Sequence, residues 1–407
     1  MLIDGSGRAG RGVAYSTTEP VHLLNVRAEG MSALAGEPDH FAKRFEEEGG
    51  DRRGFAQRRL FGRYLGELLD EAVDAGHVQV VHAAAVRAER EDRRWRVEFG
   101  DGAAVVVDEL ALAIGNQEPA GLAALQSAGE RYIANPWASE ARAAVQDLAA
   151  SGGDALIVGT GLTMVDLVLS LDAAGHQGNI LALSRRGLIP RAHSGFQPAP
   201  VSSDEVPHGR LGAMWRWLRR RSAEVGWRAA IDSLRPYSQA LWQSLDPTEQ
   251  ERFLRHGRPW WDVHRHRIAP EVAATVARLV GEGRLRIMAG RIVGASATNE
   301  GIEVELRRRG ADAAQRMTVA YAFNCTGPLH SVARTRDPLL RSLLDSGELR
   351  PDRLGIGLEV DANSRAGERL WALGPLTKGR FWEIIAVPDI REQAAAVADD
   401  MARELRA

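Results

Sequence analysis

Two glycines that directly follow a short apolar run mark the part of this chain best suited to bind a ligand. The segment reads Asp154-Ala-Leu-Ile-Val-Gly-Thr-Gly-Leu-Thr-Met-Val-Asp166. Its pattern predicts a buried strand over 155–158 and a helix from Leu162 to about Ala173. Gly159 and Gly161 would then form the turn between them, where the backbone can approach a pyrophosphate at the helix N-terminus. The segment therefore predicts the opening of a dinucleotide-binding unit.

The match to the usual glycine fingerprint is partial, because Met164 stands where a third Gly or Ala is common. A tight strand-to-helix turn without any ligand stays open as an alternative. The cofactor contacts expected at this turn are Gly159, Gly161, Leu162 and Thr163.

A second apolar run, Ile180-Leu-Ala-Leu183, leads into Ser184, Arg185 and Arg186. In a dinucleotide-binding unit the end of this strand meets the adenosine ribose, where an acid favours NAD and an Arg favours the 2′-phosphate of NADP. Two Arg and no acid are present, so the sequence favours NADPH over NADH. The alternative is that both Arg are solvated loop charges.

The same plan of a strand, a small antiparallel meander and a closing strand that ends at Gly occurs twice. The first copy consists of Val78–His82, Ala85–Ala88, Arg94–Phe99 and Glu109–Ile114, and it ends at Gly115. The second copy consists of Leu285–Met288, Ile292–Ser296, Ile302–Leu306 and Val319–Asn324, and it ends at Gly327. Two copies predict two dinucleotide-binding domains.

Only Met1-Leu-Ile-Asp-Gly-Ser-Gly-Arg8 precedes the first copy. By analogy with residues 154–184, Leu2 and Ile3 are the end of the second strand of their domain, and Asp4 is the ribose-binding acid. We therefore expect the first strand, glycine turn and helix of this domain, roughly 25–30 residues, to be missing. A misplaced start codon and a genuine truncation are the two explanations.

Composition excludes several classes of protein. The chain has 407 residues, 44% of them hydrophobic and 26% charged, and its net charge is −2. This balance indicates a globular protein of two domains and no nucleic-acid or membrane partner. The single Cys325 and the lack of a signal-peptide pattern favour a reducing, cytoplasmic compartment.

Several short sequence segments together resemble those of a known family. They are Gly12-Val-Ala-Tyr-Ser16, His22-Leu-Leu-Asn-Val26, Met31-Ser32, Arg58-Arg-Leu-Phe-Gly-Arg-Tyr-Leu65, Gly159–Asp166, Ser184–Gly187, Trp260-Trp-Asp-Val-His-Arg-His266 and Gly374-Pro-Leu-Thr-Lys-Gly379. The chain resembles the bacterial FAD/NAD(P)-binding proteins that include FAD-dependent urate hydroxylase and aspartate N-monooxygenase. The resemblance covers almost the whole chain and leaves the substrate open.

The resemblance implies FAD in the N-terminal domain and NAD(P)H in the domain inserted into it. Pro375 replaces the Asp that usually follows the second flavin-contacting glycine. The FAD or nicotinamide contacts that the resemblance implies are Asp4, Arg11, Asn25, Met31, Arg59, Gly115, Gly327 and Gly374.

Residues 205–275 are rich in Trp and Arg, and apolar residues at helical spacing predict helices over Leu211–Arg221 and Ala229–Ser244. We interpret this region as a helical insertion whose Trp residues build its core. Asp262, His264 and His266 would share one face of a strand, but no distant ligand completes a metal site. A substrate-facing role for part of 262–267 is preferred over a metal site, and no metal is expected.

The sequence thus predicts an α/β protein with two Rossmann-like dinucleotide-binding domains. Residues 1–150 and 328–407 would form the FAD-binding domain, and 151–327 the NAD(P)H-binding domain with a helical insertion at about 205–275. The expected activity is that of an FAD- and NADPH-dependent monooxygenase that uses O₂ on a small polar substrate. The cofactors carry this chemistry, so no catalytic side chain is assigned. A reductase or dehydrogenase without oxygenation and an NADPH-binding non-enzyme are the alternatives.

Overall fold

A computed structural model describes residues 1–406. Its strands are β1 (Leu2–Ile3), β2 (Val80–Val81), β3 (Ala85–Glu91), β4 (Arg94–Phe99), β5 (Ala104–Val107), β6 (Leu110–Leu112), β7 (Tyr132–Ile133), β8 (Ala155–Val158), β9 (Ile180–Ser184), β10 (Leu285–Ala297), β11 (Ile302–Arg308), β12 (Gln315–Val319), β13 (Tyr321–Asn324), β14 (Arg365–Gly367) and β15 (Leu370–Ala372).

Its α-helices are α1 (Gly12–Tyr15), α2 (His40–Glu47), α3 (Arg58–Asp74), α4 (Ser139–Ser151), α5 (Leu162–Ala173), α6 (Leu211–Val225), α7 (Trp227–Ser233), α8 (Ser238–Ser244), α9 (Pro247–Arg252), α10 (Arg258–Arg265), α11 (Pro270–Gly281), α12 (Pro338–Asp345) and α13 (Val387–Glu404). No helix within residues 1–406 has both the length and the apolar character that a membrane crossing needs.

The largest sheet has seven strands in the order β12-β11-β10-β9-β8-β13-β7. Strands β10, β9, β8, β13 and β7 pair with one another in parallel, as a doubly wound unit requires, and β11 and β12 extend the sheet in antiparallel pairing. The side chains of Ala155, Leu156 and Ile157 are fully buried, which accounts for the unbroken apolar run of β8. Helix α5 follows the glycine turn over Leu162–Ala173, so this predicted strand, turn and helix are confirmed.

The second meander differs from its prediction in two ways. Residues 285–297 form one continuous strand, β10, where two strands were expected. Its pairing with β11 shifts register between Ile292 and Gly294, so a bulge takes the place of the expected turn. Strand β12 was also missed, because the polar Gln315 and Arg316 lie exposed at the sheet edge and break the apolar pattern.

The large sheet also takes in residues from before position 151. Strand β7 pairs with β13, and four side chains of α4 are buried in the same core as β8 and α5. The predicted boundary between 150 and 151 is therefore too late for this unit, since Leu125 and Ala128 also pack in one core with Leu156 of β8. The sequence shows no composition shift there, so only strand pairing reveals the boundary.

The sheet of the first half is split into two pieces. Strand β1 pairs in parallel with β2, while β6 pairs in parallel with β15 in a separate sheet. Within residues 1–406 no strand joins β1 to β6, and both line the same cavity. Strands β1 and β6 thus reach this cavity from two separate sheets.

The helical insertion comprises α6 to α10. The predicted helix over Ala229–Ser244 is instead two helices, α7 and α8, separated by a 3₁₀ turn at Arg235–Tyr237. Pro236 explains the break, because it lacks the N–H that a continuing helix needs. Trp217, Trp242 and Trp261 are buried in the core of the insertion as expected, whereas Trp260 is 44% exposed.

Helix α13 closes the first half through a buried carboxylate. Asp400 accepts hydrogen bonds from Arg365 Nε at 2.6 Å, Trp371 Nε1 at 3.0 Å and Arg403 Nη2 at 2.9 Å. These bonds, the one from Arg365 above all, lower the pKa of Asp400 to about 2. The ionised carboxylate therefore holds α13 against β14 and β15.

We expect Asp400→Asn to lower the free energy of unfolding by about 1–2 kcal/mol at neutral pH. Because the folded-state pKa lies below that of an unfolded Asp, this stabilisation is present above about pH 4 and disappears as the pH falls toward 2. Chemical denaturation of both proteins between pH 7 and pH 3 measures it. An equal difference in unfolding free energy between wild type and variant at pH 7 and pH 3 would contradict the stabilising role of ionised Asp400.

Candidate functional site

One large cavity runs between the two halves of the molecule. Its volume is about 2770 Å³, well above the roughly 300–1,000 Å³ of a pocket for one ligand. The glycine turn after β8, the end of β9, strands β1 and β6, and the helical insertion all contribute to its walls. The cavity therefore has room for two dinucleotides and a small substrate.

The two glycines of the turn have different structural roles. Gly159 has φ +113°, and a Cβ there would overlap the backbone carbonyl of Cys325. Gly161 caps α5 with φ −88°, and a Cβ there would meet no atom within 4 Å. The first glycine lets β8 pack against the end of β13, and the second leaves the helix N-terminus open to the cavity. This cradle fits a pyrophosphate.

The loop after β9 is tied to the glycine turn. Thr160 Oγ1 donates to Ser184 Oγ at 2.8 Å, and the N–H of Gly187 donates to the same oxygen at 2.9 Å. These bonds place Arg185 and Arg186 at the cavity wall beside the glycine turn. Arg186 Nη2 donates to the carbonyl of Arg255 in the insertion at 3.3 Å. The two Arg predicted to meet a ribose phosphate are thus on one wall with the pyrophosphate cradle.

Asp4 lies at the end of β1 and lines the cavity. Its Oδ1 accepts hydrogen bonds from the N–H of Ser6 at 2.7 Å and from Ser6 Oγ at 2.6 Å. Partial burial acts to raise the pKa of Asp4, but the bonds from Ser6 outweigh it and lower the pKa. Asp4 therefore places an ionised acceptor at the cavity wall, and this chemistry fits a hydroxyl donor such as a ribose.

Gly115 follows β6 with φ +68° and lines the same wall, and a Cβ there would meet no atom within 4 Å. Arg11 and Met31 also line the cavity, although Met31 is only 2% exposed and packs among aromatic side chains. The carbonyl of Asn25 accepts a hydrogen bond from His193 Nε2 at 3.0 Å. Burial lowers the pKa of His193 to about 4, so a neutral ring joins the two halves.

Two residues that the resemblance implied do not line the cavity. Arg59 is exposed, and its Nε donates to Gln57 Oε1 at 2.6 Å. Gly374 is buried, and its N–H donates to Gln393 Oε1 at 2.7 Å. Arg58, the neighbour of Arg59, lines the cavity instead. Where two Arg are consecutive at the start of a helix, the sequence alone does not show which side chain points into the cavity.

The remaining residues expected at the cofactors all line the cavity. They are Asp4, Arg11, Asn25, Met31, Gly115, Gly159, Gly161, Leu162, Thr163, Ser184, Arg185, Arg186 and Gly327. Their convergence supports the assignment of these segments to one site.

The insertion closes the far end of the cavity with paired charges. Arg258 Nε lies 3.2 Å from Asp262 Oδ2, and Arg265 Nε lies 3.0 Å from Glu383 Oε2. Because residues 258–265 are helical, the alternative of a strand that presents Asp262 and both His on one face is wrong. Burial raises the pKa of Asp262. This wall of the cavity is polar, and a substrate-facing role for part of 262–267 stays a prediction.

Sequence reasoning also missed His330 and Lys378, which line the cavity. Burial, followed by the charge of Arg258, lowers the pKa of Lys378 to about 8. Burial likewise lowers the pKa of His330 to about 4, with further effects from Arg258 and Lys378. The sequence did contain a signal that could have pointed to Lys378, because it is one of only two Lys in a chain rich in Arg.

Several solved structures share the fold of this chain. Ornithine hydroxylase from Pseudomonas aeruginosa superposes with a TM-score of 0.66 at 16% identity, over 100% of this chain and 92% of that one. L-lysine 6-monooxygenase from Pseudomonas syringae gives 0.64 at 16% identity, over 99% of both chains. The chain has the fold of a two-dinucleotide-binding flavoprotein. The FAD-bound cadaverine monooxygenase from Erwinia amylovora gives 0.63 at 12% identity, over 99% of this chain and 87% of that one.

Sequence comparisons are consistent with the fold. Residues 1–117 match a family described as FAD-NAD(P)-binding. An uncharacterized protein of Mycobacterium tuberculosis, Rv3403c, is 24% identical over 86% of this chain and 74% of its own length. The family match falls on the half that carries Asp4, Asn25 and Gly115.

Proposed function

We propose that this protein is an FAD- and NADPH-dependent monooxygenase that acts on a small polar substrate. The observation that carries this proposal is the single cavity, which runs from the pyrophosphate cradle of the second half past Asp4 and Gly115 of the first. A cavity shared by two dinucleotide sites allows direct hydride transfer between their reactive rings. The polar wall of the insertion then provides a place for the substrate.

Each half contributes its own cofactor contacts in this proposal. Gly161 and the N-terminus of α5 hold the pyrophosphate of NADPH, and Arg185 and Arg186 hold its 2′-phosphate. Asp4 accepts the ribose hydroxyl of FAD, and Gly115 leaves room for the cofactor beside β6. When bound, the two cofactors would supply the redox chemistry: the two electrons of NADPH would reduce O₂, so that one oxygen atom enters the substrate and the other leaves as water.

The side chains of the cavity bind and orient rather than exchange protons with the substrate. His193 is neutral at physiological pH and donates to the carbonyl of Asn25, so it holds the wall between the two halves in place. The ion pairs Arg258–Asp262 and Arg265–Glu383 place positive and negative charges together at the end of the cavity where the substrate would bind. Such a wall suits a small substrate that itself carries polar or charged groups.

Three of the solved structures with this fold are an ornithine hydroxylase, an L-lysine 6-monooxygenase and a cadaverine monooxygenase, whose named substrates all carry amino groups. Amines and amino acids are therefore the first substrates to test. The test begins with the visible spectrum of the purified chain before and after FAD is added. NADPH oxidation is then followed with each amine, together with mass spectrometry of the product.

An increase of 16 mass units in a product, coupled to NADPH oxidation, would support the proposal. NADPH oxidation that yields only hydrogen peroxide with every substrate would favour the reductase alternative. Failure to bind FAD while NADP⁺ still binds would overturn the flavoenzyme assignment for this chain.

We expect Arg185→Ala to weaken the binding of NADP⁺ by roughly tenfold or more and that of NAD⁺ by less than twofold. The reason is that a charge-assisted hydrogen bond to a phosphate is worth about 1.5–3 kcal/mol, and only NADP⁺ has the 2′-phosphate. Calorimetric titration measures both affinities without flavin. Arg186→Ala is the matched control with a smaller expected effect, since Arg186 already donates to Arg255. Equal losses for NAD⁺ and NADP⁺ would contradict the prediction.

A further inference from the structure

A buried ion pair links the two halves next to their cofactor sites. Arg58, the first residue of α3, reaches Asp166 on α5, with Nη2 3.0 Å from Oδ2 and 3.2 Å from Oδ1. The two side chains are only 11% and 7% exposed. Arg58 Nε also donates to the carbonyl of Leu23 at 3.1 Å, so a single guanidinium ties three segments together.

His22 extends this contact along the same helix. Its Nε2 lies 2.9 Å from Ser170 Oγ and 3.1 Å from the carbonyl of Asp166. Thr17 Oγ1 holds the other ring nitrogen at 2.9 Å. His22 is 5% exposed, so these bonds are shielded from water. We call Arg58, Asp166 and His22 the interdomain clamp.

Apolar contacts surround the clamp. Val21, Leu23 and Phe55 from the first half pack against the core that contains Val165 and Leu169 of α5. Removal of this surface from water stabilises the docked arrangement without fixing its geometry, because apolar contacts have no preferred direction. The hydrogen-bonded charges of the clamp do have preferred directions, and they select one register of the two halves.

Both ends of the clamp continue directly into cofactor-contacting segments. Asp166 lies five residues after Gly161 on one helix, a rise of about 7 Å, so a shift of Asp166 displaces the pyrophosphate cradle. On the other side, His22 and Leu23 lead into Asn25, which lines the cavity. Any change at the clamp therefore alters the separation of the two cofactor walls.

We propose that Arg58, Asp166 and His22 are positioning residues that fix the NADPH cradle at the distance from the flavin wall needed for hydride transfer. This inference rests on the proposed function for its kinetic consequence. The docking of α5 against the 21–25 segment is a separate consequence, and it can be measured without flavin.

The test compares Asp166→Asn with Asp172→Asn, a matched control on the same helix. Asp172 pairs at 2.7 Å with the exposed Arg278 of its own domain, so its loss leaves the domain contact intact. For each variant we would measure NADP⁺ affinity, the anaerobic rate of flavin reduction by NADPH, and amide hydrogen exchange over 21–25 and 162–173.

For Asp166→Asn we expect NADP⁺ affinity within about threefold of wild type and flavin reduction slowed at least tenfold. Exchange should rise in both segments together, and Asp172→Asn should show none of these changes. Reduction and exchange that match those of the control would overturn the proposal. If flavin does not bind, the proposed function fails, and the exchange result still decides whether the clamp holds the halves together.

A double variant separates the positioning role from unfolding that an unpaired buried charge could cause. Arg58→Met with Asp166→Leu removes both charges, and such apolar replacement of a buried pair is often neutral for stability. We expect this protein to fold and bind NADP⁺ while flavin reduction stays slow, because an apolar contact does not set the register. A reduction rate within twofold of wild type would overturn the positioning role.

Discussion

Replacement of Gly159 by alanine is expected to destabilise the half that contains β8 and α5 by at least about 3 kcal/mol and to lower its Tm by roughly 10 °C. Two causes act together at this residue. Its φ of +113° is one that side chains rarely adopt, and the added Cβ would overlap the carbonyl of Cys325. That carbonyl is backbone at the end of β13, so it cannot move without disturbing the sheet. Thermal unfolding followed by circular dichroism measures the effect.

Gly161→Ala is the matched control, since it is the same substitution two residues along. Gly161 has an ordinary φ of −88° and open space at its Cβ position, so the free energy of unfolding should change by less than about 1 kcal/mol. The methyl group would, however, occupy the space needed by a pyrophosphate. We therefore expect NADP⁺ affinity to fall at least tenfold in a folded protein. If Gly161→Ala leaves that affinity unchanged, the turn is not the cradle we describe.

Replacement of Lys378 by methionine is expected to raise the free energy of unfolding by roughly 1–3 kcal/mol at pH 7. A partly buried ammonium whose pKa has fallen from 10.5 to about 8 destabilises the folded state when it is charged. Because the unfolded chain holds this proton more tightly, wild-type stability should rise as the pH increases from about 8 to 10.5. The advantage of the variant should shrink over the same range. Chemical denaturation at pH 7 and pH 10 measures both effects.

Lys43→Met is the control for this experiment, because Lys43 is the only other lysine and is 60% exposed beside Asp39. It should change stability little, and equally at both pH values. The same Lys378→Met variant should also bind anionic ligands of the cavity more weakly. Greater stability with weaker binding would mark Lys378 as a residue kept for function. A variant less stable than wild type at pH 7 would contradict this account.

Much of the fold could be predicted because its signals are local. The turn that begins at Gly159 depends on residues within a few positions of one another, and α5 begins and ends where its pattern indicated. The doubled meander could likewise be seen as alternating residues between turns. Errors arose where the local signal was interrupted, as at Pro236 in the insertion and at the bulge of β10.

The candidate site was predicted less completely, because side-chain direction depends on packing. Arg58 and Arg59 are neighbours of the same type, yet only Arg58 faces α5, 108 positions further along the chain. The family resemblance placed Gly374 at the cofactor, but its N–H donates to the side chain of Gln393 in α13. No pattern within one segment predicts such a partner, since the partner belongs to another segment.

The sequence by itself determined the strand, glycine turn and helix from β8 to α5 and the strand β9 that two Arg follow. Each of these is specified by residue types within about ten positions, where backbone geometry limits the choices. Only the tertiary structure decided that the halves share one cavity, that Lys378 faces it, and that Arg58 and Asp166 join them. These features depend on contacts between distant segments, whose energy comes from burial and charge pairing that appear only when the chain has packed.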